Sequence, residues 1–167
     1  MKNFIFFILA CGIILGGCTT QITPQTKSSM FQTVSPESAT LLQEGKDKNI
    51  CYICGMDLVK YYKTNHSAPH EGKVFQYCSL HCFEDHLGQG VILKNPKVVD
   101  LASLKFINAT NAYYVVGSKQ RGTMSRVSKY AFLKEEDAKK FNSQNGGIIM
   151  DFKSAREKAQ EDFKYYK

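Results

Sequence analysis

The chain has 167 residues, of which 43% are hydrophobic and none is tryptophan, and a formal charge of +7 from 22 Lys+Arg against 15 Asp+Glu. That length holds one domain, or two very small ones, plus a tail, and excludes a large multidomain enzyme. The basic balance falls by one unit without Lys2; it suits an acidic partner or plain solubility, and nucleic acid is not an expected target.

At the amino end, Met1-Lys-Asn is a short basic region, and Phe4 to Leu15 is an apolar run too short to span a bilayer. Together they predict a signal peptide over residues 1–17. Leu15-Gly16-Gly17-Cys18 resembles the lipobox of bacterial lipoproteins. The resemblance implies cleavage before Cys18, a diacylglycerol thioether on its sulfur and attachment to a bacterial membrane facing the periplasm. Thr19 is not aspartate, which by the enterobacterial sorting rule favours the outer membrane over the inner. Residues 18–47 are rich in Thr, Ser, Gln and Pro and read as a flexible tether, with at most a helical turn near Ala39 to Gln43.

The folded part is expected to be α+β, built from two small ββαβ units in tandem, at residues 48–104 and 105–152, with a C-terminal helix over 153–167. In the first unit Leu58 to Tyr62 and Val74 to Tyr77 read as a hairpin around Asn65, Pro69 and Gly72. Ser79 caps a helix from Leu80 to Leu87, and Val98-Val99-Asp100 is a returning strand. The order recurs in the strands Ala112 to Val116 and Val127 to Phe132, a helix from Lys134 to Gln144 closed by Asn145-Gly146-Gly147, and a strand from Ile148 to Phe152. This repetition suggests an internal duplication. Ser154-Ala-Arg-Glu157 reads as a capping box opening the final helix.

Chemistry concentrates in Cys51-Tyr-Ile-Cys54-Gly-Met56 and Cys78-Ser-Leu-His81-Cys82. Exported cysteines commonly form disulfides, and Cys51 with Cys54 could act as a C-x-x-C redox couple. A metal site accounts for more residues: C-x2-C followed by C-x3-C supplies four thiolates from a knuckle and a helix start, a spacing typical of zinc. The helix start is expected to favour ionised Cys82. Met56 shifts the weighting toward Cu(I), because thioethers suit a soft monovalent ion. His81 and His86, on the same helix, are possible additional ligands, while His66 and His70 read as solvated loop residues.

Cys54-Gly-Met56, Ala112-Tyr-Tyr-Val-Val-Gly-Ser118, Gly122-Thr-Met124, Tyr130-Ala-Phe132, Asp137-Ala and Asn145-Gly-Gly147 resemble the NosL family of copper-binding accessory lipoproteins. The resemblance implies a non-catalytic Cu(I) chaperone. Its expected partners are nitrous oxide reductase, whose copper-sulfide centre it would help mature, and a dedicated membrane transporter. It also implies copper ligation by Cys54 and Met124, with Met56 matching the motif. Cys51, Cys78 and Cys82 depart from the simpler members, and the stretch Gly72 to Cys82 also resembles TRASH and YHS metal-binding modules. Two arrangements follow: one thiolate-rich copper region, which is the favoured reading, or a zinc-like knuckle beside a Cys54/Met124 copper site. A thiol-disulfide oxidoreductase and a structural zinc-binding interaction module are the competing functions.

Overall fold

The computed structural model describes residues 30–163; residues 1–17, expected to be a signal peptide, and Cys18 lie outside the described residues. The first sheet starts with a hairpin of β1 (His66–His70) and β2 (Lys73–Tyr77), in register from His66↔Tyr77 to His70↔Lys73. Its two-residue loop places Glu71 at φ 48° and Gly72 at φ 75°. Two consecutive positive φ values make a tight turn whose twist matches that of the flanking strands. Helix α1 (Leu80–Gly88) follows at once, its N-cap Ser79 accepting a hydrogen bond from the Cys82 N–H. The chain returns as β3 (Lys97–Val99), antiparallel to β1, and β4 (Phe106–Asn108) adds to its far side.

The second sheet repeats this plan. β5 (Tyr113–Val116) pairs with β6 (Lys129–Phe132), helix α2 (Glu135–Asn145) crosses over, and β7 (Ile148–Met150) returns to the other edge of β5. The strand orders are β2-β1-β3-β4 and β6-β5-β7. In each unit the first strand therefore lies between its hairpin partner and the strand after the helix, which gives the expected α+β arrangement of two ββαβ units. Helix α3 (Phe152–Phe163) lies against α1, where Glu84 receives hydrogen bonds from Arg156 and Gln160.

One core spans both units: Leu58, Tyr77, Phe83 and Val98 pack with Tyr114, Val116, Ala131 and Phe152. Each Val, Leu or Phe side chain among them contributes on the order of 1.5–3 kcal/mol by leaving water. Asp100 fastens the sheets together, its carboxylate accepting from the N–H of Ser103 and of Leu133 while Leu101 N–H donates to the Ala131 carbonyl. Two glycines close α2, and they differ in what surrounds them. Gly146 (φ 69°) faces open space, whereas a Cβ on Gly147 (φ 104°) would stand 2.8 Å from the Val116 carbonyl oxygen. Gly147→Ala is thus expected to cost about 2 kcal/mol or more and Gly146→Ala about 1 kcal/mol. Urea midpoints of the two variants check the order; equal losses would refute it.

Several expectations are corrected. Leu58 to Tyr62 forms no strand; it is a turn leading into a 3-10 segment at Tyr62–Thr64, from which Leu58 and Tyr62 insert into the core. The hairpin's first strand is instead His66–His70, and His66 is buried rather than solvated. Helix α3 begins at Phe152, because Asp151 and not Ser154 supplies the cap: its Oδ1 accepts from the Ser154 N–H at 2.8 Å. Residues 30–43, read as tether, lie on the domain. Phe31 packs edge-on against Tyr130 at 5.3 Å, and the Leu42 N–H donates to the Gln76 side chain at 2.7 Å. β4 was not foreseen, and it joins the first sheet although it follows residue 104.

Candidate metal centre

The first cysteine pair lies in a turn closed by its own backbone. Cys51 N–H donates to the Met56 carbonyl at 2.7 Å, and Gly55 N–H donates to the Cys51 carbonyl at 2.9 Å. Gly55 supplies the positive φ, 74°, that this reversal needs. The second pair comes from the end of β2 and the first turn of α1. Cys78 N–H donates to Cys51 Sγ at 3.3 Å, which locks the two pairs together.

All four sulfurs lie within 4.8 Å of one another, with Cys54 Sγ 3.5 Å and Cys82 Sγ 3.7 Å from Cys78 Sγ. They are free thiols, too far apart to be bonded. A tetrahedral ion with metal–sulfur bonds of about 2.3 Å requires an edge of about 3.8 Å between sulfurs, so the cluster has the size of a four-thiolate cage. Cys51, Cys78 and Cys82 are at most 1% exposed, and only Cys54 is part-exposed.

Charge in this cage settles first on Cys51. Hydrogen bonds from the thiols of Cys54, Cys78 and Cys82, and from the Cys54 N–H, push its thiol far down. Cys78 and Cys82 are pushed up, chiefly because they serve Cys51 and Cys54 as donors, and burial adds to this. With no metal bound, the hydrogen bonds to Cys51 and Cys54 hold the Cys82 thiol up, against the ionised form that the helix start was expected to favour. A bound cation reverses that order, since coordination deprotonates all of its thiols.

The methionines occupy a separate place. Met56 and Met124 line a cleft of about 1050 Å³, together with Met30, His81 and Thr123. None of the four cysteines lines it. Met124 is 37% exposed and adopts φ 54°, in the left-handed region that non-glycine residues seldom occupy. Thr123 Oγ1 lies 2.8 Å from Thr64 Oγ1, which in turn lies 2.7 Å from the Cys78 carbonyl oxygen. On the other side Ser125 Oγ donates to Asp162 at 2.7 Å. The Met124 loop is thus clamped to the backbone of the thiol cluster and to α3.

Neither candidate histidine joins the thiols. His86 Nδ1 bonds the Tyr77 hydroxyl at 2.8 Å, and the His81 ring stacks on Phe163 at 4.2 Å along the cleft. Met30, Thr64, Lys129 and Asp162 escaped the sequence reading. Met30 stands in the compositionally bland tether, and the others act only through partners distant in the chain.

A four-thiol knuckle beside a thioether-lined cleft, on two ββαβ layers, has the donor set of a soft-metal-binding protein. The family model of NosL matches residues 43–159, and the chain belongs to that family. It is 27% identical over 121 residues to the copper-binding lipoprotein NosL of Stutzerimonas stutzeri, a match covering 64% of this chain and 61% of that protein. The crystal structure of the copper chaperone NosL from Shewanella denitrificans superposes with a TM-score of 0.53 at 27% identity, over 66% of this chain and 92% of that one. These relatives are named as copper-binding proteins and not as enzymes.

Proposed function

We propose that this protein is a lipid-anchored, periplasm-facing Cu(I) carrier without catalytic activity, supplying copper for the copper-sulfide centre of nitrous oxide reductase. The observation that carries this reading is the juxtaposition of four free thiols with a cleft that two thioethers of the family motifs share. Soft sulfur donors of both kinds select Cu(I) among the ions of the cell envelope. A carrier also needs its cargo reachable; Met124 is exposed, and Cys54 is the one part-exposed thiol of the cluster. Cys18 provides the membrane anchor, and the partners are the reductase or the transporter that serves it. The oxidoreductase alternative loses support because Cys51 and Cys54 are not an isolated couple: Cys78 Sγ stands 3.5 Å from Cys54 Sγ.

The test is Cu(I) competition against a chelator under reducing conditions. Cys54→Ala combined with Met124→Ala removes one donor from the cage and one from the cleft. Copper affinity is expected to fall by about 100-fold or more in whichever group the ion resides. Affinity equal to that of the unmodified chain would overturn the assignment.

A further inference from the structure

We propose that the mouth of the cleft is a membrane-docking surface, on which Lys60, Lys63, Arg121 and Arg126 bind the anionic phospholipid headgroups of the bilayer that carries the chain. The choice of a bilayer as occupant rests on the lipid-anchor part of the reading above; the charge of the surface does not depend on it.

The cations come from two distant stretches of the chain and meet around one opening. Arg121 and Arg126 line the cleft, as do the rings of Phe31 and Tyr61. Lys63 Nζ stands 4.6 Å from the centre of the Phe31 ring, and Lys60 Nζ stands 5.8 Å from that of Tyr61. Lysine stems laid along apolar rings in this way keep their ammonium groups at the water boundary. Lys60, Arg121 and Arg126 are exposed, and Lys63 is half-buried. None of them forms an ion pair with a carboxylate among the described residues, whereas Lys139, Arg156 and Lys158 are each paired.

The cations also outnumber the carboxylates at this opening. Asp85 lines it, and Asp57 lies beside Lys60, its Oδ1 accepting from the Val59 and Lys60 N–H groups at 2.8 Å each. Asp162, behind the Met124 loop, is neutralised by Lys129. Among the cations stand two large apolar tips, Met30 and Met124, which are 39% and 37% exposed. Apolar side chains ringed by Lys and Arg suit the boundary between headgroups and acyl chains, where the cations meet phosphate and the apolar tips leave water.

The occupant follows from where the chain enters. The sequence leading from Cys18 reaches the described domain at Met30, and that entry point is fixed to both basic stretches. Met30 carbonyl accepts from the Thr33 N–H at 3.0 Å, Thr33 Oγ1 donates to the Lys60 carbonyl at 2.9 Å, and the Gln32 side-chain amide donates to the Arg121 carbonyl. A lipid on Cys18 therefore brings this side of the domain to the bilayer before any other. Attachment also makes docking intramolecular, at an effective concentration on the order of millimolar. Each Lys or Arg close to an anionic surface multiplies partitioning about fivefold. A few such contacts, too weak to hold a free protein, suffice for one already attached. An acidic protein would offer the same charge without being held at this side of the domain.

The experiment places the full-length chain, free of added metal, with vesicles of phosphatidylcholine alone or with about 30% phosphatidylglycerol, and follows flotation and amide hydrogen exchange. Flotation is expected with both. Exchange in residues 60–63 and 120–126 should slow about fivefold or more on the anionic vesicles alone, and the slowing should vanish at about 0.5 M salt. Lys60→Gln/Arg121→Gln/Arg126→Gln, which leaves Lys63 packed on Phe31, should abolish it. Lys94→Gln/Lys105→Gln/Lys134→Gln, which removes the same charge at exposed positions away from the cleft, should keep it. Flotation with both vesicles and equal exchange on them would overturn the docking proposal while sparing the anchor, as would slowing that persists in high salt. Loss of the slowing in both triple variants would overturn the assignment to this face. Flotation with the anionic vesicles alone, accompanied by the slowing, would support docking and overturn the lipid anchor. Flotation with neither would overturn both.

Discussion

Asp162→Ala is expected to lower stability by about 3–5 kcal/mol, because it strands a buried ammonium. Lys129 Nζ has three N–H bonds and three acceptors: Asp162 Oδ2 at 2.8 Å, Ser125 Oγ at 2.9 Å and the Val127 carbonyl at 2.9 Å. Both charged side chains are under 10% exposed, and burial pushes the Lys129 ammonium below its usual range. With the carboxylate gone, two neutral acceptors cannot replace the lost counter-charge. Lys129→Met together with Asp162→Leu should recover most of the loss, since replacing both members of a buried pair by apolar groups is commonly neutral. Denaturant unfolding of the single and double variants checks both statements; a single variant within about 1 kcal/mol of the unmodified chain would refute them. Because Asp162 also holds Ser125, the single variant should also loosen the Met124 loop.

The second large effect is acid destabilisation through His66. Its ring is buried, Nδ1–H donating to the Thr64 carbonyl at 3.0 Å while Nε2 accepts from the Tyr114 hydroxyl at 3.1 Å. Burial pushes its pKa down to about 3, the Thr64 carbonyl opposes that shift and Lys129 adds to it. In the unfolded chain the imidazole titrates near 6.5, so between those values the unfolded state binds the additional proton. Stability from His66 is therefore complete above about pH 6.5 and drains away as pH falls toward 3. At pH 4.5 the loss is about 2–3 kcal/mol, at roughly 1.4 kcal/mol per unit. His66→Gln should be less stable at pH 7 and should show a flatter decline below it. Parallel declines in the two proteins would refute the assignment.

Where local chemistry decided local structure, the sequence was legible. Ser79 before an apolar helical run announced α1, and the spacing of Cys51, Cys54, Cys78 and Cys82 announced a shared site. β1 was not legible, because His-Ser-Ala-Pro-His carries no apolar alternation. His66 is buried there through hydrogen bonds and not through hydrophobicity, and Pro69 is tolerated because β3 opposes only His66 and Ser67. Leu58 to Tyr62 misled in the opposite sense: its apolar residues serve the core from a turn, so composition resembled a strand where no ladder forms. The Lys129–Asp162 pair and the Thr64–Thr123 contact join residues 33 and 59 positions apart, and no local period encodes such partners. That the thioethers face a different opening from the thiols also emerged only in three dimensions.

The docked segment from Met30 to Gln43 sets a leash length. With a lipid on Cys18, as proposed, only the twelve residue steps from Cys18 to Met30 separate the bilayer from the cleft. Even at full stretch they span no more than about 40 Å, against about 100 Å had the chain been free to residue 47. Cargo can therefore change hands only in a thin layer against the membrane. An acceptor embedded in that same bilayer is within range at all times, whereas one diffusing through the periplasm must come to the surface to meet it.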